Sequence, residues 1–102
     1  MTIYKDKSKI HGIGLFTDTE IKKGDFILLV ADIKRLNYSS EFITTLGKLI
    51  NHKTDCNCFI RLVADDKYHL FAIRDIEPNE ELTTDYSLLK YPFKSDVTGY
   101  KD

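Results

Sequence analysis

The chain has 102 residues, of which 42% are apolar and 30% charged, and its formal net charge is −1. This length predicts a single domain, residues 1–102, that buries about 60–70% of its unfolded surface. The balanced charge argues against direct nucleic-acid binding, and no apolar run reaches the roughly 20 residues of a membrane span. Cys56 and Cys58 are too few for a disulfide scaffold, which favours a reducing, intracellular compartment.

The first third of the chain predicts short strands separated by polar turns. Thr2–Lys5 alternates weakly, and Phe26–Ala31 is an apolar run typical of a buried strand. Between them, Ile10–Thr17 carries Gly12 and Gly14, which indicate a bend or bulge in a sheet, or a close approach by another molecule. A phosphate-binding loop is disfavoured, because no third glycine, no Gly-Lys-Ser/Thr and no helix follows.

The rest of the chain predicts one short helix, a hairpin and a last strand. A serine cap at Ser39 or Ser40 and apolar residues at helical spacing predict a helix up to Ile50, which Gly47 shortens or breaks. The β-rich runs that follow are Cys58–Val63, Tyr68–Arg74 and Glu81–Thr84, the first two forming a hairpin. Together these elements predict a β-rich α+β domain.

Two further stretches stand out. Asn51 and His52 follow an apolar pair directly, and Asn57 comes after a short polar loop. Their donors and acceptors suit a helix end or a site that holds a small molecule and a second segment of the chain. The tail, residues 87–102, carries aromatic residues without helical or strand spacing, so we expect it to pack onto the domain.

Three segments, taken in order, resemble the SET domain, the β-rich fold of protein-lysine methyltransferases. Ile10–Phe16 followed by Ile21–Ile27 resembles the opening of that domain. Lys48–Cys58 is similar to its Arg-Phe-Ile-Asn-His-Ser-x-x-Pro-Asn segment. Ala72–Tyr86 is similar to Ala-x-Arg-Asp-Ile-x-x-Gly-Glu-Glu-Leu-x-x-Asp-Tyr. The resemblance covers residues 8–86.

The resemblance implies a SET-domain (β-clip-like) fold of several small sheets and one short helix, with a knot-like C-terminal crossing. It also implies S-adenosyl-L-methionine as cofactor and a lysine of a protein, a histone tail for example, as substrate. The implied cofactor-binding residues are His11, Gly12, Ile13, Gly14, Asn51 and His52. Tyr86 would be the catalytic residue, Asn57 and Asp85 would build the crossing, and Thr84, Tyr91 and Phe93 would line a lysine channel that the tail closes.

The implied reaction needs a neutral amine aligned with the methyl group, and positioning supplies most of the effect. At pH 7 only about one free lysine in 10³–10⁴ is neutral. Two like charges ~4 Å apart at an effective dielectric of ~20 repel by about 4 kcal/mol. The sulfonium therefore lowers the lysine pKa by roughly three units, and the site needs no strong general base.

The chain departs from the family at several positions. Thr84 stands where many members carry a Phe or Tyr that influences the number of methyl groups added, and Val30 replaces a channel aromatic. The zinc-binding cysteines that follow many SET domains are absent, with Thr54 in place of an upstream ligand. His52, Cys56 and Cys58 fall short of the four ligands of a closed zinc site, so no metal is expected.

Two other readings compete with the methyltransferase. A catalytically decayed SET-fold protein that binds a peptide or protein suits the missing aromatic, and a small nucleic-acid-binding β-module fits the aromatic content but not the net charge. A minimal single domain suits a bacterial protein of the cytoplasm, or a viral or secreted effector acting in the host nucleus on chromatin. Apolar strands near the edges of so small a domain also allow a homodimer.

Overall fold

A computed structural model describes residues 2–32, 43–63 and 66–88 of the chain. This part is built from seven short strands and two 3₁₀ helices, which confirms the β-rich character that the apolar runs predict. The strands are β1 (Ile3–Lys7), β2 (Ile13–Thr17), β3 (Phe26–Asp32), β4 (Asn51–His52), β5 (Cys58–Val63), β6 (Lys67–Ala72) and β7 (Glu81–Thr84), and the 3₁₀ helices are Gly47–Leu49 and Tyr86–Leu88.

The first sheet has four strands in the order β1-β2-β7-β4. β1 and β2 form an antiparallel hairpin, and β7 pairs antiparallel with β2. On its other edge β7 pairs in parallel with β4, with Asn51 opposite Thr83 and His52 opposite Thr84. The two segments expected to cross therefore lie side by side, although the paired residues are 32 positions apart in the chain.

The second sheet has three strands in the order β3-β6-β5. β5 and β6 form the predicted hairpin in unbroken register from Cys58↔Ala72 to Val63↔Lys67. β3 pairs with the other edge of β6 and shifts register twice. Phe71 on β6 lies between Phe26 and Phe59, with ring centroids 6.2 and 5.5 Å apart, which gives this sheet an outer aromatic row.

Side chains from both sheets meet in one apolar core. Its fully buried members include residues of β2, β3, β5, β6 and β7, together with two bridged residues from the turns before β3 and β7. The core residues are Leu15, Ile21, Ile27, Leu28, Val30, Ala31, Ile50, Cys58, Leu70, Ala72, Ile76 and Leu82. Val30, which stands where the family carries a channel aromatic, is part of this core.

The described part of the predicted helix is shorter than its apolar spacing suggests. Residues 39–42 lie outside the described part, Ile43 forms a bridge with Ala31, and within residues 43–50 only Gly47–Leu49 is helical, as a 3₁₀ turn. Thr44 explains the difference, because its N–H and hydroxyl donate to the carbonyls of Val30 and Leu29 at 2.8 Å each. Bonds to β3 replace those of a longer helix.

Gly12 lies in a bend, and the β1–β2 pairing contains no bulge. Its φ is +47°, and its carbonyl accepts from the N–H of Ser8 at 2.8 Å. A φ in this range favours glycine. The register from Ile3↔Thr17 to Lys7↔Ile13 is continuous. Of the readings weighed for the two glycines, the bend applies at Gly12. Among the helices of the described residues, none has the length and apolarity to cross a membrane.

Candidate active site

Asn51 is the centre of a polar cluster that joins three segments of the chain. It is the first residue of β4 and is buried, with 8% of its surface exposed. Its side-chain Nδ2 lies 3.0 Å from Ser8 Oγ, 3.0 Å from the carbonyl of His11 and 2.9 Å from Glu81 Oε2. The structure thus brings together Asn51 and the His11 segment, two of the predicted cofactor-binding parts.

The acceptors around Asn51 fix the orientation of its amide. An amide nitrogen has two hydrogens and an amide oxygen has none, so the end that faces three acceptors is Nδ2. The opposite atom, Oδ1, accepts no hydrogen bond from the residues that the structure describes. It is an acceptor available to a ligand, next to the exposed loop that contains His11, Gly12 and Ile13.

Gly12, in this loop, and Gly14, in β2, have different surroundings. Nothing lies within 4 Å of the position that a Cβ on Gly12 would take, so a ligand can approach the backbone there. A Cβ on Gly14 would collide with the Glu81 carboxylate and lie 3.2 Å from Asn51 Nδ2. The protein itself fills the space at Gly14, where the sequence suggested that a ligand would do so.

Ser8 and Glu81 belong to this cluster, and sequence reasoning gave neither a role. The Ser8 hydroxyl donates to the Glu81 carboxylate, with Oγ 2.8 and 3.0 Å from its two oxygens. It also accepts from the backbone N–H groups of Ile10 and His11 at 2.9 and 3.2 Å. Ser8 directly follows β1, and its partner lies 73 residues further along the chain. The available signal was Glu81, a carboxylate at the start of an otherwise buried strand.

His52 connects β4 to the segment that follows β7. It is buried, and its Nδ1 accepts the backbone N–H of Tyr86 at 2.9 Å. A nitrogen that accepts cannot carry a proton, so this imidazole is neutral with its hydrogen on Nε2. Asp85 Oδ1 lies 3.8 Å from the same Nδ1, and the neutral ring makes this a polar contact and not an ion pair. The His52 and Tyr86 rings pack with centroids 5.1 Å apart.

Tyr86 is held at both its backbone and its hydroxyl. It begins the second 3₁₀ helix, and its hydroxyl donates to the carbonyl of Ile50 in a short hydrogen bond. Burial raises the pKa of the Tyr86 phenol, so the group stays protonated at neutral pH. A neutral phenol is suited to aligning other groups by hydrogen bonding and unsuited to removing a proton.

Asn57 fastens the crossing between the loop after β4 and strand β7. Its Nδ2 donates to the carbonyl of Glu81 at 2.7 Å, and its Oδ1 accepts the N–H of Thr83 at 2.9 Å. The side chain is almost fully buried. It pairs with β7 as a neighbouring strand would, which agrees with the structural role that the resemblance implies.

Asp85 and Thr84 precede Tyr86 and differ in their surroundings. Asp85 Oδ1 accepts from the N–H and the hydroxyl of Ser87 at 2.9 and 2.6 Å, so Asp85 caps the short helix that begins at Tyr86. Thr84 is 3% exposed at the end of β7. The other residues expected in the lysine channel, Tyr91 and Phe93, lie outside the described residues, as does Tyr100.

The two cysteines are free thiols in different environments. Cys58 is fully buried, and this burial raises the pKa of its thiol to about 12. Cys56 is half-buried, and its Sγ lies 3.4 Å from the carbonyl of Cys58. Within residues 2–32, 43–63 and 66–88, no group of three or more His, Cys, Asp or Glu side chains could hold a metal ion.

The family follows from a comparison with known domains. Residues 30–87, more than half of the chain, match the model of the SET domain. This chain belongs to the SET domain family. The match contains Asn51, His52, Asn57 and Tyr86, and it covers the second and third of the segments that carry the resemblance, Lys48–Cys58 and Ala72–Tyr86.

Relatives of this SET domain are histone-lysine methyltransferases. It is 30% identical over 120 residues to the H3 lysine-4 specific histone-lysine N-methyltransferase of Schizosaccharomyces pombe, covering 87% of this chain. It is 29% identical over 112 residues to histone-lysine N-methyltransferase TRX1 of Oryza sativa subsp. japonica, covering 78% of this chain. The chain spans only 13% and 11% of the lengths of these two relatives.

Solved structures share the fold at lower identity. A crystal structure of a proposed histone methyltransferase from Plasmodium falciparum superposes with a TM-score of 0.67 at 21% identity, covering 87% of this chain and all of that one. A humanized mutant of Polycomb Repressive Complex 2 from Chaetomium thermophilum gives 0.65 at 22% identity, covering 83% of this chain and 15% of that one. These likenesses confirm the predicted SET fold.

Proposed function

We propose that this SET domain is a protein-lysine N-methyltransferase that uses S-adenosyl-L-methionine. One observation carries the proposal: Ile50 and Asn51, adjacent in the chain, bind the two parts of the site, which are Tyr86 and the glycine loop. The carbonyl of Ile50 accepts the Tyr86 hydroxyl, and the amide of Asn51 binds the glycine loop. A cofactor on that loop and an amine aligned by Tyr86 would meet at this point.

The residues present fit S-adenosyl-L-methionine. Asn51 Oδ1 is an acceptor suited to its ammonium group, and the exposed backbone at Gly12 leaves room beside it. The half-buried Glu81 carboxylate adds negative charge near this position. His52, fixed as a neutral ring, would take the adenine end. When bound, the cofactor supplies an electrophilic methyl group on a sulfonium.

The chain contributes alignment and desolvation. Because the Tyr86 hydroxyl gives its hydrogen to Ile50, its oxygen can accept a hydrogen bond from the substrate amine. The bond from the Tyr86 N–H to His52 and the cap from Asp85 hold the phenol in place. Positioning of this kind can supply most of the acceleration, and the half-buried neutral phenol does not need to remove a proton.

The proposed substrate is a lysine of a protein, with a histone as the first candidate because the relatives are named for histone lysines. The net charge of −1 fits a site that binds a short peptide segment. We also propose that the tail, residues 87–102, completes the lysine channel. A catalytically decayed binding module is the outcome that the following experiment would reveal.

Tyr86→Phe is the decisive variant. It removes the hydroxyl that aligns the amine, so we expect turnover to fall by roughly 10²-fold or more with S-adenosyl-L-methionine affinity unchanged. The assays are methyl transfer to core histones and to cell lysate, followed by mass spectrometry, and calorimetry with the cofactor. Tyr68→Phe, a tyrosine on β6, is the matched control.

Asn51→Ala separates cofactor binding from alignment. We expect it to weaken S-adenosyl-L-methionine binding in calorimetry, because the ligand loses an acceptor.

Full turnover by Tyr86→Phe would remove Tyr86 from the mechanism. A wild-type protein that binds no S-adenosyl-L-methionine would reject the proposal as a whole.

A further inference from the structure

Ser8 and Glu81 form a hydrogen-bonded pair, and both contact the side-chain nitrogen of Asn51. The function proposed above gives this pair no role. We infer that this pair positions the cofactor site: it turns the Asn51 amide so that Oδ1 faces the ammonium group of S-adenosyl-L-methionine. The inference rests on the proposed function for its ligand. Ser8 and Glu81 are positioning residues, because they act through Asn51.

The orientation of Asn51 depends on acceptors that only this arrangement supplies. Nδ2 has two hydrogens and three acceptors within 3.0 Å, two of which are Ser8 Oγ and Glu81 Oε2. If the amide turned over, Oδ1 would face a carboxylate and a carbonyl, both of which repel it. The negative charge of Glu81 therefore selects one of the two amide orientations.

Ser8 also shapes the loop on which the cofactor is expected to lie. Its oxygen accepts the N–H groups of Ile10 and His11, and its own N–H donates to the carbonyl of Gly12 at 2.8 Å. One residue thus folds the chain from Ser8 to Gly12 into a closed turn. The hydroxyl hydrogen of Ser8 then anchors this turn to β7 through Glu81.

Glu81 is a charged group with polar partners and no cation. Its carboxylate takes part in none of the ion pairs found among residues 2–32, 43–63 and 66–88. A half-buried carboxylate without a cation favours a positive group nearby. Of the groups on S-adenosyl-L-methionine that can donate to Asn51 Oδ1, only the ammonium is positive, so the charge favours the amino-acid end over the adenine end.

The test compares two ligands that differ in that end. S-adenosylhomocysteine carries the ammonium group, and 5′-methylthioadenosine lacks the whole amino-acid end. In calorimetry, Ser8→Ala and Glu81→Gln should weaken S-adenosylhomocysteine binding by about fivefold or more and change 5′-methylthioadenosine binding by less than twofold. In steady-state assays KM for S-adenosyl-L-methionine should rise while kcat at saturation is retained.

Two variants serve as controls. Thr17→Val removes a buried hydroxyl that bonds the backbone of Thr19 at 2.7 Å, away from the site. It should leave the affinities for both ligands unchanged. Ser8→Thr keeps the hydroxyl and should restore S-adenosylhomocysteine binding. An equal loss of affinity for both ligands in Ser8→Ala, or no loss for either, would overturn the inference.

The ligand-free protein provides a separate measurement. In ¹⁵N-resolved NMR spectra the side-chain amide hydrogens of Asn51 should exchange slowly in the wild type and faster in Ser8→Ala and Glu81→Gln. Unchanged exchange would overturn the positioning role even if the cofactor binds. If the wild type binds neither ligand, the proposed function fails on its own account, and the role of the pair toward a cofactor falls with it.

Discussion

The side chain of Asn57 makes hydrogen bonds to β7 that the backbone of a neighbouring strand would otherwise make. Its amide satisfies the N–H of Thr83, which is buried, and the carbonyl of Glu81, which is partly buried. A buried backbone group without a partner costs about 1–3 kcal/mol. The motif predicts the importance of Asn57, but its partners are 24 and 26 residues away and only the fold reveals them.

Cys58 illustrates how burial alone changes chemistry. Its thiol contacts Asn57 Oδ1 at 3.2 Å within the core, and its raised pKa follows from the cost of placing a thiolate there. In the folded protein the group is therefore an inert apolar side chain and a weak donor, although the sequence presents it as one of two neighbouring cysteines.

The Cys58 thiol predicts a loss of stability at alkaline pH. Its pKa is about 12 in the folded state against 9.0 as the reference, so the unfolded chain binds fewer protons above pH 9. Stability is fully present below pH 9 and falls by up to roughly 1.4 kcal/mol per pH unit between pH 9 and 12. Urea titrations of the wild type and Cys58→Ala across this range measure it; parallel curves would contradict the prediction.

At the scale of elements, Gly47 accounts for the shortness of the predicted helix. A Cβ on Gly47 would lie 2.7 Å from the carbonyl oxygen of Val30 and 2.9 Å from Thr44 Oγ1. The segment therefore packs backbone against backbone on β3. Spacing along the sequence records which residues are apolar, but it does not record a contact with a strand residue 17 positions earlier.

Gly47→Ala should be strongly destabilising for this reason. The added methyl group must push Val30 backbone away from the short helix, and we expect a loss of about 1–3 kcal/mol in the free energy of unfolding. Chemical denaturation measures the change. Lys48→Ala, an exposed position in the same helix, should change stability by less than about 0.5 kcal/mol, and equal effects of the two substitutions would contradict the packing argument.

The strands were predicted well because their apolar runs are unambiguous, as in the hairpin of β5 and β6. The two-residue strand β4 was not predicted, since it is too short to have a period and exists only because β7 lies beside it. The same reason explains why the sequence motifs do not reveal two residues of the site, Ser8 and Glu81. Motifs identify Asn51 and Tyr86, whereas Ser8 and Glu81 become partners through the β2-β7-β4 arrangement.

At the scale of the molecule, the apolar core of the described residues comes from the segment between Leu15 and Leu82. The last described element is the second 3₁₀ helix, in which the N–H of Leu88 donates to the carbonyl of Asp85 at 3.1 Å. The tail, residues 89–102, lies outside the described residues, and its part in the proposed lysine channel stays a prediction.

Truncation after Leu88 should separate folding from activity. We expect the shortened protein to keep a cooperative unfolding transition and to lose methyl transfer, because the proposed channel is left open. Circular dichroism with thermal unfolding, together with the methyl-transfer assay, measures both. In the full chain, Tyr91→Ala and Phe93→Ala should lower turnover while Lys94→Ala does not. Full activity of the truncated protein would remove the tail from the channel.

The position of β7 between β2 and β4 also determines how late in translation the first sheet can be completed. The edge of β2 that faces away from β1 pairs with Glu81 and Leu82 of β7. Ribosomes add about 5–20 residues per second, so the interval between Thr17 and Thr84 lasts on the order of 3–13 s. During that time β2 presents an uncovered edge, the kind of surface that pairs with other chains. Assembly of the proposed cofactor site therefore waits until β7, the last strand of the described residues, has been made.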